Sequence, residues 1–111
     1  MPKTDFIDYV VSDLLGEWKG VRARAMFGGY GLYKEDTIFG IIVDDVLYFK
    51  VGDANRKAYE AAGSRPFAYK AKGRSKPIQM SYREVPAEVM DDRGEIRRWA
   101  EAARRVSLMK P

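Results

Sequence analysis

Three glycines in the segment AMFGGYGLY, residues 25–33, have a spacing that could hold a phosphate group. A glycine-rich loop binds phosphate when it leads into the N-terminus of a helix, whose free N–H groups and dipole attract the anion. Here Gly28, Gly29 and Gly31 lead into GLYKE, which continues as a strand, and no Lys-Ser or Lys-Thr pair follows. The segment therefore predicts a turn or bulge between two aromatic strands, with a positive φ at one or more glycines, and no nucleotide site.

Adjacent carboxylates are the second feature that could do chemistry, because a pair of them can act as general acid and base. They occur at Glu35-Asp36, Asp44-Asp45 and Asp91-Asp92, which are positions where turns or helix caps need such residues. The chain contains neither His nor Cys, so it has no imidazole base, no thiolate nucleophile and no zinc ligand of either type. We therefore expect a protein that is not an enzyme, with no catalytic, metal or cofactor-binding residues.

Basic residues concentrate in the second half of the chain. Up to position 49 there are 5 basic and 8 acidic residues, and from position 50 there are 15 basic and 8 acidic ones. Such asymmetry suggests an anionic partner. The candidate contact residues surround one predicted hairpin and follow the polar side of the last predicted helix: Lys70, Lys72, Arg74, Lys76, Arg97, Arg98, Arg104 and Arg105.

Three interpretations of these cations remain open. They could be solvated charges opposite an apolar stripe, with Glu101 pairing locally because it lies four residues from both Arg97 and Arg105. They could contact a protein partner. They could also make weak contact with a nucleic-acid backbone, although the sequence has no helix-turn-helix, zinc-finger or RNP signature.

The elements that must position these residues follow from the apolar periodicity. Residues 4–18 have helical spacing, with Thr4 as the predicted N-cap and Gly20 as the predicted stop. From there to residue 51 the period is two, which predicts four antiparallel strands joined by hairpins, with tight turns at Glu35-Asp36 and Asp44-Asp45.

The helical period returns at residues 53–62, with Asp53 as the predicted cap and Gly63 as the C-terminal stop. Two further strands are predicted at 66–72 and 77–85, followed by a helical turn at Pro86 and a final helix that begins after Asp91 or Asp92. This order predicts a two-layer α+β domain spanning residues 1–111. Its sheet is mainly antiparallel, has five or six strands, and has helices packed on one face.

Nine aromatic residues of the strands could line a ligand pocket, but such residues more often form the core and the cross-strand pairs of a sheet. Some of them must point to the second face of a sheet that helices cover on one side only, and an exposed aromatic face there would be an interaction or dimer surface. The nine are Phe27, Tyr30, Tyr33, Phe39, Tyr48, Phe49, Phe67, Tyr69 and Tyr82.

Several segments together resemble one family. These are MFGGYGLY, IFGIIVDDVLYFKV, the PFAYK and MSYREVP strands, and RRWAEAARR in the last helix. From about Val21 to about Val106 the chain resembles the N-terminal domain of the TfoX/Sxy proteins, bacterial regulators associated with competence gene expression. Longer members of that family carry a second, C-terminal helical domain, and this chain resembles the single-domain form.

The resemblance implies a two-layer α+β fold similar to that of secretion-chaperone-type domains, and a regulatory or protein-interaction role. The sequence has no apolar run of about 18 residues and no signal peptide. We therefore expect a cytoplasmic protein that contacts no membrane. A protein partner or a second copy of the chain is its expected contact, and weak nucleic-acid contact is the alternative.

Overall fold

The computed structural model describes residues 4–26, 29–69 and 78–109. The chain begins with helix α1 (Thr4–Asp8) and a π-helical segment (Tyr9–Leu14). The strands are β1 (Val21–Met26), β2 (Gly29–Lys34), β3 (Thr37–Val43), β4 (Val46–Lys50), β5 (Pro66–Tyr69) and β6 (Ile78–Glu84). Helix α2 (Arg56–Ala61) precedes β5, and α3 (Ala87–Met90) and α4 (Arg93–Leu108) follow β6.

The six strands form one sheet in the order β1-β2-β3-β4-β6-β5, and every neighbouring pair is antiparallel. The predicted α+β class and antiparallel sheet are confirmed. The first four strands form a meander because each one pairs with the strand that follows it in the chain. Met26 pairs with Gly29, so the chain reverses between β1 and β2 as the glycine-rich segment predicts.

The main core lies between the sheet and the helices. Ile96, Ala100 and Ala103 of α4 are fully buried and pack over β3 and β4. The sheet contributes Leu32, Phe39, Ile42, Leu47 and Phe49 to this core. We call this side of the sheet the helix face and the opposite side the second face.

A bulge in β3 decides which side chains enter the core. Leu32 pairs with Gly40 and Tyr33 pairs with Ile38, so Phe39 is an extra residue between two consecutive pairs. A bulge of this kind shifts the alternation of side chains by one position. As a result Phe39 points to the helix face, where it is fully buried, while Ile38 packs on the second face.

The two predicted tight turns have backbone angles that few residues other than glycine adopt. Glu35 and Asp36 have φ of 48° and 74°, and Asp44 and Asp45 have φ of 52° and 61°. Two successive residues with positive φ are typical of a type I′ turn, whose twist matches that of the flanking strands. The carboxylates therefore stand where tight turns require unusual backbone angles, as their positions predict.

The N-terminal helix ends earlier than predicted. Helical structure stops at Leu14 instead of near Trp18, and the N–H of Leu15 donates to the Val10 carbonyl oxygen at 3.0 Å. This five-residue step widens the last turn. Gly16 fits closely behind it, because a Cβ there would lie 2.1 Å from the Ser12 carbonyl oxygen. Leu15 and Trp18 still reach the core, but from the connection to β1.

Helix α2 is shorter than predicted, and Asp53 is not its cap. Asn55 precedes the helix, and its side-chain oxygen accepts a hydrogen bond from the Gly52 N–H at 2.8 Å. Asp53 instead pairs with Arg56 at 2.7 Å. Gly63 has the positive φ of 72° that was predicted for the helix stop.

Helix α4 begins where the sequence predicts. The Asp92 carboxylate accepts hydrogen bonds from the N–H groups of Gly94 and Glu95, at 3.0 and 3.1 Å. A full capping box would return the Glu95 side chain to the Asp92 N–H. Here Glu95 instead contacts Arg98 and accepts a hydrogen bond from the Trp99 indole N–H at 3.3 Å.

Candidate functional site

The second face of the sheet carries its own apolar cluster, separate from the main core. Ile41, Phe67 and Tyr82 are only 2, 8 and 7% exposed, and further half-buried side chains pack around them. Those neighbours are Ile38, Val43 and Tyr48. No described helix packs on this face. The cluster is therefore a second, smaller core, and its half-buried neighbours supply the accessible apolar area of the second face.

The strand register explains how this face is assembled. One row of paired residues crosses the sheet from Arg24 through Gly31, Ile41 and Tyr48 to Glu84. Residues paired in a row share one face of a sheet. The row therefore has a cationic end at β1, an apolar and aromatic centre, and an acidic end at β6.

The aromatic rings of the second face contact one another closely. Tyr48 and Phe67 meet edge to face, with ring centroids 4.9 Å apart. Burial raises the pKa of the Tyr48 phenol, and the charges of Glu84 and Asp44 raise it further. Burial also raises the pKa of the Tyr82 phenol, with a smaller contribution from Tyr33. Both phenols therefore stay neutral over a wider range of pH than a free tyrosine does.

Two cations lie over tyrosine rings at this face. The Arg24 guanidinium carbon is 5.5 Å from the Tyr33 ring centre, and the Lys50 Nζ is 5.1 Å from that of Tyr82. Contacts of this type stabilise by about 0.5–1 kcal/mol at exposed sites. They also hold the positive charges beside the apolar cluster. Neither cation is among the predicted contact residues, although the alternation of β1 places Arg24 on the same face as Arg22.

The four predicted contact arginines of α4 differ in their ion-pair partners and in their exposure to solvent. Arg97 pairs with Glu101 at 3.2 Å, and Arg98 pairs with Glu95. The hydrogen bond to Glu95, with its charge, raises the pKa of the Arg98 guanidinium. Exposed pairs of this kind contribute little to stability, but they lower the net charge of the helix surface.

The remaining two arginines differ from each other. Arg104 is half-buried and lies 3.8 Å from Glu35 in the β2–β3 turn, and its Nε is buried without a hydrogen-bond partner in the described part of the chain. Arg105 is exposed, with no ion-pair partner among the described residues. The other four predicted contact residues, Lys70, Lys72, Arg74 and Lys76, lie outside the described residues. A single basic face that joins the hairpin to α4 therefore stays a prediction.

The glycine-rich segment leads into a strand, as predicted. Gly29 and Gly31 belong to β2, and Gly29 approaches β3 so closely that a Cβ would lie 2.4 Å from the Ile42 carbonyl oxygen. This close approach explains the glycine without a ligand. Phe27 and Gly28 lie outside the described residues, and a positive φ at these glycines stays a prediction.

A family model matches nearly the whole chain. Residues 13–107 match the model of the TfoX N-terminal domain. The chain belongs to this family. No curated protein matches it. Among the described residues, this TfoX N-terminal domain has no helix that is long and apolar enough to cross a membrane, and no cluster of acidic side chains that could hold a metal ion.

This TfoX N-terminal domain also has a cleft of about 400 Å³ between α2 and α4. Tyr59 and Trp99 line it, with ring centroids 4.7 Å apart. Tyr59 is 1% exposed, and its hydroxyl has no hydrogen-bond partner within the described residues. Burial raises the pKa of this phenol far above its ordinary value of 10.0. The hydroxyl is therefore a source of instability in the fold.

Replacing Tyr59 with Phe is expected to raise the free energy of unfolding by about 1 kcal/mol at pH 7, because the variant no longer buries an unpaired hydroxyl. The difference in the free energy of unfolding between the variant and the wild type should grow as pH rises. In the wild type the unfolded phenol ionises above pH 10 while the folded one stays neutral, so stability is lost as pH rises. At pH 11 this loss reaches about 1.4 kcal/mol, and the Phe variant lacks it.

Urea unfolding followed by circular dichroism at pH 7 and pH 11 measures both effects. Tyr9→Phe is the matched control, because Tyr9 is 42% exposed and surface changes usually alter stability by less than about 0.5 kcal/mol. A Tyr59→Phe variant that is less stable than the wild type at pH 7 would show that the hydroxyl has a stabilising partner.

Proposed function

We propose that this TfoX N-terminal domain is a non-enzymatic, cytoplasmic regulatory module that works by protein contact through the second face of its sheet. The observation that supports this best is the apolar cluster around Ile41, with its half-buried rim, on the side of the sheet where no described helix packs. The resemblance to the N-terminal domains of competence regulators supports the regulatory part of the proposal.

Strand β3 is apolar along nearly its whole length. It reads TIFGIIV, and its central residues are buried on both faces of the sheet. An antiparallel sheet that is covered on one side usually alternates apolar and polar residues, with the polar ones facing water. In β3, Ile38, Ile41 and Val43 occupy the positions of that polar set. Ile41 is already covered by its neighbours, whereas Ile38 and Val43 stay partly exposed, and partly exposed apolar side chains on a sheet face suit contact with another molecule.

Cations and tyrosines surround the apolar cluster of the second face. Arg24 and Lys50 stand over tyrosines beside the apolar cluster. Protein interfaces commonly combine tyrosines and arginines around an apolar centre, because the rings supply area and the cations supply orientation. The arrangement therefore suits a protein partner with an apolar patch and acidic groups beside it.

Nucleic-acid binding is the second candidate, and exposed arginines on α4 favour it. Arg97 and Arg98 pair with glutamates of their own helix, which reduces the charge available to phosphates. Binding through the phosphate backbone weakens steeply as salt rises. The wild type is therefore expected to hold duplex DNA no more tightly than micromolar in physiological salt.

Affinity capture from the native cytoplasm, followed by quantitative mass spectrometry, tests the proposal. The bait is the full chain as wild type, as Tyr48→Lys on the second face, or as Leu108→Lys. Tyr48 is half-buried in the cluster, while Leu108 is 55% exposed at the end of α4, so the two variants add the same charge at different surfaces. Circular dichroism and urea unfolding establish that each variant is folded.

We expect a protein that the wild type and Leu108→Lys capture and that Tyr48→Lys loses by at least tenfold. Equal capture by all three baits would overturn the second face as the contact surface. Sub-micromolar binding of duplex DNA in physiological salt, lost when the four arginines of α4 become Ala, would put nucleic-acid binding in its place. Sedimentation of the bait alone would show whether the captured partner is a second copy.

A further inference from the structure

Strand β1 is a long, regular strand at an edge of the sheet. Its six residues pair along their whole length with β2, and no described strand pairs with its other side. Within the described residues, the strand at the opposite edge, β5, has four residues, begins with Pro66 and has an irregular register. The outer side of an edge strand presents unpaired N–H and C=O groups that can accept another strand. Of the two edges, β1 is the better template.

The side chains of β1 divide sharply between the two faces. Arg22 and Arg24 are exposed on the second face, while Val21 and Ala23 are half-buried on the helix face against the core. Arg22 pairs with Asp36 at 2.9 Å, but both side chains are largely in water, at 60 and 90% exposed. Such a pair is weak, so the Arg22 guanidinium can change partners readily.

We propose that β1 accepts an extended acidic segment of a partner protein as a seventh, antiparallel strand. The inference rests on the protein-contact function proposed above and names the partner's chemistry. Carboxylates at alternate positions of the segment would lie beside Arg22 and Arg24. The residues between them would be apolar, because they would lie beside Val21 and Ala23. Backbone hydrogen bonds provide the attachment and the alternating side chains provide selectivity.

Repulsion between like charges makes a second copy of the chain an unfavourable partner for the edge of β1. If two β1 strands paired about a twofold axis, their second faces would lie on the same side of the joined sheet. The arginines of one copy would then lie beside those of the other, and like charges on neighbouring strands destabilise the pair. An acidic segment has the opposite effect at the same positions, so the two arginines select against self-association and for an anionic strand.

The small contact area at the edge of β1 limits the expected affinity for the acidic segment. Pairing with a six-residue strand buries much less surface area than the roughly 1,200–2,000 Å² that stable protein interfaces bury. The contact should therefore be weak and reversible. Part of its affinity comes from charge, so it should weaken as salt rises.

A synthetic peptide that alternates Glu and Val over six residues, capped at both ends and labelled with a fluorophore, tests the proposal on the full chain. Fluorescence anisotropy measures its affinity, and amide hydrogen exchange by NMR identifies the site. The arginine variant is R22E/R24E. Its matched control is R97E/R98E, which makes the same charge change at two exposed arginines of α4.

We expect the wild type to bind this peptide with sub-millimolar affinity and to show slowed exchange in β1. R22E/R24E should weaken binding at least tenfold, and R97E/R98E should leave it within about twofold, because rim charges act locally at physiological salt. Equal weakening by both variants, equal binding of the matching Lys-Val peptide, or equal binding of single-stranded DNA would each overturn the proposal. Protection confined to residues outside β1 would also overturn it.

The outcome separates this inference from the function on which it rests. If a captured partner depends on Tyr48 but the acidic peptide does not bind, the strand-addition inference fails and the second-face proposal stands. If the peptide binds β1 while Tyr48→Lys changes no capture, the edge is the contact surface and the second face is not.

Discussion

Replacing Phe39 with Ala is expected to lower the free energy of unfolding by about 3–5 kcal/mol. Phe39 is fully buried, and its ring lies 5.2 Å from that of Trp18 and 5.8 Å from that of Phe49, measured between centroids. Its removal leaves a cavity where the N-terminal segment, β3 and β4 meet. A domain of this size has a total stability of about 5–15 kcal/mol, so the loss is a large part of the whole.

Urea unfolding followed by circular dichroism measures this loss. Leu108→Ala is the control, because its side chain is 55% exposed and its truncation should change stability by less than about 0.5 kcal/mol. A loss below about 1 kcal/mol for Phe39→Ala would contradict the position of the bulge, since an unbulged β3 would turn this side chain toward the second face.

Replacing Gly29 with Val is expected to lower the free energy of unfolding by about 1–3 kcal/mol, because extra atoms would be forced between two paired strands. A Cβ at this position would lie 2.4 Å from the Ile42 carbonyl oxygen and 3.0 Å from Cγ2 of Val43. A backbone oxygen cannot rotate away as a flexible side chain can. The cost therefore falls on the pairing of β2 with β3.

The same urea experiment measures this effect, and a ligand titration separates it from a binding role. Amide NMR shifts of the wild type with ATP, GTP and inorganic phosphate should show no localised change at Gly29 or Gly31. If the Val variant kept the wild-type stability and the wild type showed localised shifts at sub-millimolar ligand, the glycines would be a phosphate site and the backbone explanation would be wrong.

Much of the fold could be predicted from local patterns. The meander of β1 to β4 follows from period-two alternation, and the turns at Glu35-Asp36 and Asp44-Asp45 follow from pairs of turn residues between apolar runs. The start of α4 follows from Asp92, whose carboxylate caps the helix. Each of these features depends on residues that are close together in the chain, so a single sequence contains the information.

Two features of the structure do not follow from the sequence pattern. The early end of the N-terminal helix cannot be predicted from its periodicity, because Leu15 and Trp18 continue the helical spacing although the helix ends at Leu14. The bulge at Phe39 is hidden for a similar reason. In TIFGIIV nearly every residue is apolar, so the sequence does not indicate which residue is the extra one.

The candidate site could be predicted in part. The aromatic residues of the strands were correctly expected to divide between the core and the second face, but their assignment needed the register. Phe39 and Phe49 belong to the core, whereas Tyr48, Phe67 and Tyr82 belong to the second face. The ion pairs of Arg98 with Glu95 and of Arg104 with Glu35 could not be chosen among the many charge pairs that the sequence permits.

The strand order has a consequence for how the chain reaches its folded state. Four of the five strand pairings join strands that are consecutive in the chain, and β4 with β6 is the exception because β5 and α2 intervene. Closing the longer loop costs more conformational entropy than closing a tight turn, and non-local pairings slow folding. The β1–β4 meander can therefore assemble first. The pairing of β6 with β4 would then bring α4 to the exposed apolar side of that meander and complete the cooperative unit.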